Sequence, residues 1–115
     1  MTYEKVAEMI EEMGIPFSYY QFDNDTAVDP PFICFYYPEN IDVLADGENY
    51  KKIETLTIEL YTDNKDFDME AAVEKVLKAH GLVFARSESY IDSEKMHMVT
   101  YQTSVLIEEV QNNDC

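Results

Sequence analysis

Positive charge is the commodity this sequence has least of. Eight lysines and arginines stand against 24 aspartates and glutamates, a formal net charge of −16, and Arg86 is the one arginine. Proteins that grip nucleic acid do so by replacing phosphate counterions with clustered Lys and Arg. Direct, sequence-specific nucleic-acid binding is therefore excluded as an expectation. Glycine is nearly as scarce. Gly14 and Gly81 fall where helices should stop and Gly47 falls in a turn, so none is left for a phosphate-cradling loop. Cysteine is limited to Cys34, inside the apolar run "FICFYY", and Cys115, the last residue. They make no disulfide framework; a buried small hydrophobe and a loose terminal thiol, both suited to reducing conditions, are the roles they suggest. His80 and His97 are the only histidines. A zinc site built on them would need ligands from distant segments at no recognisable spacing. Cys34 with a histidine as a nucleophilic pair fails because Cys34 reads as buried. No apolar run approaches the ~20 residues of a membrane span. The first residues are amphipathic and acidic rather than basic and apolar, which predicts a soluble protein made in the cytoplasm.

What is present is enough for a core. Of 115 residues, 46% are hydrophobic, which separates the chain from disordered acidic tails. A domain of this length buries roughly two-thirds of the surface its unfolded chain exposes. We expect one domain over residues 1–110 and a flexible C-terminal tail over 111–115.

The pattern along the chain predicts an α+β fold. "TYEKVAEMIEEMG" is a helix with Val6, Met9, Ile10 and Met13 on one face, Thr2 as cap and Gly14 as stop. Phe17–Phe22 is β-prone. Phe32–Tyr37 reads as a short strand covered on both faces and ended by Pro38. Asp46-Gly47 is a hairpin signal, and the residues around it, Pro38 to Tyr50, read as a β-arm projecting from the sheet. In "YKKIETLTIELYT", Leu56, Ile58 and Leu60 alternate inward, and Thr55, Thr57 and Glu59 outward. A second helix follows, with Val73, Val76, Leu77 and His80 on one face. "LVFARSESYI" and "HMVTYQTSVLIEEV" are two last strands, with Val99, Tyr101, Val105 and Ile107 sharing a face. The sum is a mainly antiparallel sheet with two helices packed on it and a protruding β-arm.

The acid-rich link before the second helix, "TDNKDFDME", invites a cation-binding reading. A calcium loop of the helix–loop–helix type needs oxygen ligands at positions 1, 3 and 5, glycine at 6 and glutamate at 12. Every register here fails at the glycine and at the closing glutamate. Asp66 or Asp68 as helix cap, with Asp68 and Glu70 at the positive end of the dipole, accounts for the acids better. We therefore expect no metal, no cofactor and no catalytic residues.

The remaining signal is surface for partners. Nine tyrosines and six methionines are many for this length, and both residues are enriched at protein interfaces. Phe32 and Phe35 read as core. Tyr36, Tyr37 and the arm residues Ile41, Val43, Leu44 and Tyr50 read as interface, because the arm has too few apolar residues to fold alone. Its acids, Glu39, Asp42, Asp46 and Glu48, would solvate it until a neighbour orders it. The overall acidity serves solubility, or it repels DNA.

The stretches "GIPFSYYQF", "PPFICFYYPEN", "ADGENYKKIETLTIELYTDNKD" and "KVLKAHGLVFARSESYIDSEKMHMVTYQTSV" resemble a family of small prophage proteins of Gram-positive bacteria. These are encoded among head–tail joining and tail genes, beside the major tail protein. The resemblance runs from about Met1 to Val110, and "PPFICF" and "IELYTDNKD" carry most of it. The family is in turn similar to tail-terminator, or tail-completion, proteins in size and α+β pattern. It implies a six-fold ring that caps the tail tube, with further copies of the chain, the major tail protein and a head-completion protein as partners. It places the protein in the bacterial host's cytoplasm during assembly and then in the virion tail. It brings no catalytic residues. In such a ring, Glu39, Asp42, Asp46 and Glu48 are the candidates to line the channel. The competing expectation is an acidic regulator, such as a DNA mimic, that binds a basic partner.

Overall fold

The computed structural model describes residues 1–20, 29–45 and 49–108, and the backbone alone over 41–45 and 49–51. Helix α1 spans Tyr3–Glu11. Thr2 Oγ1 accepts a hydrogen bond from the Lys5 N–H at 3.1 Å, which satisfies one of the helix's open donors. Val6, Met9 and Ile10 are fully buried on its inner face. The chain leaves the helix through Gly14 at φ +74°, a left-handed conformation that glycine adopts without a Cβ clash.

Five strands form one sheet in the order β1-β2-β3-β5-β4. They are β1 (Phe17–Tyr19), β2 (Phe32–Ala45), β3 (Asn49–Thr62), β4 (Phe84–Ile91) and β5 (Met96–Ile107). β1 runs parallel to β2, and the other three pairings are antiparallel. Helix α2, Phe67–Ala79, follows β3. Both helices bury their apolar faces on the same side of the sheet, where Val6, Met9, Ile10, Val73 and Leu77 meet Ile33, Phe35, Leu56, Ile58, Leu60, Val99 and Tyr101. The fold is α+β, as the pattern predicts. No helix among the described residues is long and apolar enough to cross a membrane.

Four local expectations need correction. Pro38 does not end its strand: β2 continues to Ala45, with a register shift between Tyr36 and Glu39. Pro38 sits within that irregularity, where it and Tyr37 stand opposite Leu56, and a bulge is one of the places where a strand accommodates a residue without an N–H. The strand expected over Phe17–Phe22 closes at Tyr19; Tyr20 turns away at φ +71° while its N–H still donates to the Phe35 carbonyl at 2.8 Å. Phe32 is only half-buried, outside the helix-side core that holds Phe35. His80 caps the end of α2 at the surface rather than joining its buried face, and its Nε2 lies 2.9 Å from Glu12 Oε2 at the end of α1. The turn at Asp46-Gly47, Glu48 and the tail 111–115 lie outside the described residues.

The acidic link is a helix start. Asp66 Oδ1 accepts from the Met69 N–H at 3.0 Å. Glu70, four residues on, does more than complement the dipole. It is 3% exposed, and its carboxylate takes Lys65 Nζ at 2.8 Å and the guanidinium of Arg86 on β4. Lys65 also reaches Glu88 at 2.9 Å, and its hydrogen bonds to these two carboxylates hold its ammonium above the ordinary lysine range. Lys65 holds the Glu88 carboxyl below its usual range in return. The single arginine therefore staples α2 to the edge strand.

Two outcomes are expected. Ile58→Ala, at the centre of β3, removes fully buried bulk and should cost ~2–5 kcal/mol in denaturant unfolding; a value near zero would place Ile58 on the wrong face. Glu70→Ala strips the shared acceptor from Lys65 and Arg86. Both cations reach solvent, so the loss should be ~1–3 kcal/mol, that of charge-assisted hydrogen bonds rather than of a stranded buried ion. Glu70→Gln, which keeps an acceptor oxygen, should lose less in the same measurement.

Candidate functional site

A sheet covered on one side leaves another side to be explained. Because side chains alternate along a strand, the residues between the core positions point away from the helices, and no described helix or strand packs on them. They are Phe32, Cys34 and Tyr36 on β2; Ile53, Thr55, Thr57, Glu59 and Tyr61 on β3; Met98, Thr100, Gln102, Ser104 and Leu106 on β5; and Ala85, Ser87, Ser89 and Ile91 on β4. In a chain with 28% charged residues, this stretch of sheet carries two acids: Glu59 near its middle and Glu39, in register with Thr55, at its margin beside the arm.

The Glu59 charge is masked. The Tyr36 hydroxyl donates to Glu59 Oε2 at 2.9 Å and the Tyr61 hydroxyl to Oε1 at 2.8 Å. Burial and the Glu59 carboxylate push the Tyr36 phenol up to about 12 and raise Tyr61 as well, so both remain donors at neutral pH. The Phe32 ring stacks on Tyr61 at 4.8 Å and Tyr20 leans on Tyr36 at 5.5 Å. Thr57, in register with Tyr36, is 2% exposed although its alternation points it outward. The rest of the face, across β5 and β4, mixes hydroxyl and amide groups with Met98, Ala85 and Ile91, and Leu106 is open to solvent.

The arm is the second candidate surface. β3 pairs with β5 no further than Lys52↔Ile107. Beyond it, Val43↔Lys51, Leu44↔Tyr50 and Ala45↔Asn49 form a two-stranded ribbon that outruns the sheet. Of the six residues read as interface, Ile41, Val43, Leu44 and Tyr50 lie in or at the base of this ribbon. Tyr36 and Tyr37 part company: Tyr36 belongs to the uncovered face, whereas Tyr37 turns to the helix side, its ring 5.3 Å from Tyr3 of α1. Of the four acids, Glu39 is exposed at the base of the arm and Asp42 pairs in register with Lys52. Asp46 and Glu48 lie outside the described residues.

On the helix side, Tyr3, Tyr19, Phe35, Tyr37 and Glu54 line an open cleft of about 440 Å³. Sequence reasoning missed Glu54, which is 7% exposed. The signal was available: Glu54 has the parity of Leu56, Ile58 and Leu60, so a carboxylate stands at an inward position. Among the described residues no three His, Cys, Asp or Glu side chains converge as metal ligands. His97 packs against the Tyr90 ring at 5.1 Å, away from Cys34.

No protein-family model matches the sequence, and no curated protein does. The fold, however, is similar to that of a chain in a solved structure described as the "Virion of native gene transfer agent (GTA) particle". The TM-score is 0.62 at 13% identity, over 90% of this chain and 86% of that one. At that identity the likeness is one of fold, and it extends over nearly the whole of both chains.

Proposed function

We propose that this chain is a structural protein of a phage virion, at the head–tail junction, and that it caps the tail tube as a tail-terminator or tail-completion protein. The observation that carries the reading is the shared fold with a chain of an assembled virion, across nine-tenths of this chain. The resemblance of "PPFICF" and "IELYTDNKD" to prophage tail-region proteins points the same way. The chain works by association, not catalysis: copies of itself form a ring, with six the expected number, and the ring sits between the major tail protein and a head-completion protein.

The geometry supplies the contacts. Copies carrying −16 each repel, but the repulsion is screened over ~8 Å at physiological salt, so association needs touching surfaces that are themselves uncharged. The uncovered face comes nearest to such a surface, with Glu59 masked and Glu39 only at its margin, and the arm reaches past the sheet to a neighbour. Tyr36 anchors the first and Tyr50 lies in the second. The arm acids Glu39, Asp42, Asp46 and Glu48 line the channel in this reading, where they repel DNA phosphates and keep transit free. One observation favours a second reading, an acidic regulator: Glu4, Glu8 and Glu11 stand exposed in a row along α1, a spacing that suits a basic partner.

Deleting the chain from an inducible prophage separates the two. Electron microscopy should show tails of uncontrolled length or tails that fail to join heads; normal infectious particles would remove the terminator reading. Asp42→Lys with Asp46→Lys and Glu48→Lys should leave particles intact and slow DNA ejection. Unchanged ejection would take the arm out of the channel without touching the ring.

A further inference from the structure

The helix-side cleft has a chemistry of its own. Tyr3 comes from α1, Tyr19 from β1, Phe35 and Tyr37 from β2, and Glu54 from β3. The rings meet mostly edge to face: Tyr3 and Tyr37 at 5.3 Å and 79°, Tyr19 and Phe35 at 5.3 Å and 82°. Tyr3 and Tyr19 remain 42% and 55% exposed, so ring surface is open to an arriving group. At the base, the buried Glu54 carboxylate accepts from Asn40 Nδ2. The Tyr37 hydroxyl beside it is buried and has no hydrogen-bond partner among the described residues.

We infer that this cleft is a receptor for an arginine side chain presented by a partner protein. Aromatic faces carry a negative quadrupole that attracts cations, and a carboxylate shielded from water attracts them more strongly than one in solvent. The protein shows this preference already: Lys52, outside the cleft wall, holds its Nζ 5.5 Å from the centre of the Tyr3 ring. A guanidinium fits better than an ammonium. Its plane stacks on a ring while its forked N–H groups reach two acceptors at once. The two oxygens of the Glu54 carboxylate are those acceptors. A volume of about 440 Å³ is at the small end of ligand pockets and suits one side chain. The −16 charge steers a basic partner to it. The inference goes beyond the assembly reading, and the isolated chain tests it, so its failure would leave that reading where it stands.

The probes are three capped tripeptides, acetyl-Gly-X-Gly-amide, with X arginine, lysine or norleucine, titrated into the full chain and followed by NMR. The arginine probe should shift the ring signals of Tyr3, Tyr19 and Tyr37 saturably. The lysine probe should bind several-fold more weakly, and the norleucine probe should give no saturable shift. Glu54→Gln, a near-isosteric change, and Tyr19→Ala, at a half-exposed ring, should each weaken the arginine probe about five- to tenfold. Asp68→Asn, on an exposed turn of α2, should not. Equal binding of the norleucine probe would reduce the site to an apolar groove and overturn the inference. Equal weakening by Asp68→Asn would show attraction to the bulk charge and overturn it too, as would no saturable shift with any probe.

Discussion

Both faces of this protein hang from β3, Asn49–Thr62, which hydrogen-bonds to β2 along one edge and to β5 along the other. Its alternation sorts the molecule. Leu56, Ile58 and Leu60 are fully buried beneath the helices, while Thr55, Thr57, Glu59 and Tyr61 build the opposite surface. A slip of one residue in either ladder would exchange these sets. The hydroxyls and Glu59 would face α1 and α2, and three large aliphatic side chains would face water. The register is therefore held by the hydrophobic cost of that exchange, and through it every neighbouring strand is told which way its own side chains point.

The helices depend on the same strand but are fixed by polar contacts at their ends. α2 is seated on β3 by Val73 and Leu77, and its angle is set by Glu70, which binds Lys65 on the entering loop and Arg86 on β4. α1 is tied to α2 where Glu12 meets His80. Tyr101 joins the two layers from the inside. Its ring is fully buried in the core, its hydroxyl donates to Glu74 on α2 at 3.0 Å, and burial with that acceptor raises its pKa, so the donor survives. Among the described residues, the acids that are not tied down lie on α1, at the start of α2, on the turns and around the arm, so the middle of the uncovered face holds only the masked Glu59.

The parts legible in the sequence are those decided within a few residues. Thr2 and Asp66 cap their helices because each lies directly before an apolar helical pattern. The β3 and β5 cores follow from alternation alone. What was not legible depended on partners far along the chain. Pro38 is tolerated because the pairing with β3 shifts register around it, leaving it in a bulge. Glu70 is buried because Arg86, sixteen residues away, comes back across the sheet to meet it. His80 has the spacing of a buried position, but α2 ends there and Glu12 offers it a surface partner. Adjacent tyrosines in a strand point to opposite faces, so grouping Tyr36 with Tyr37 overlooked a rule already applied to β3. Glu54 was overlooked for the same reason: its inward parity marked it, but acids are so frequent here that one more drew no notice.

Placing the two tyrosines on opposite faces has a consequence for the proposed assembly. A strongly acidic subunit must solve two different recognition problems. Toward another copy, net charge opposes approach, since both carry −16; a surface with few unmasked charges makes contact with the least opposition of like charges at close range. Toward a basic neighbour, the same acidity is an advantage, and a pocket that concentrates it on a buried carboxylate adds specificity to steering. In the proposed assembly Tyr36 would serve the first surface by masking Glu59, and Tyr37 the second by standing beside Glu54. Because one strand carries both and the sheet separates them, the two surfaces can be occupied at once. A ring joined through the uncovered face would leave each aromatic cleft open to the neighbouring protein.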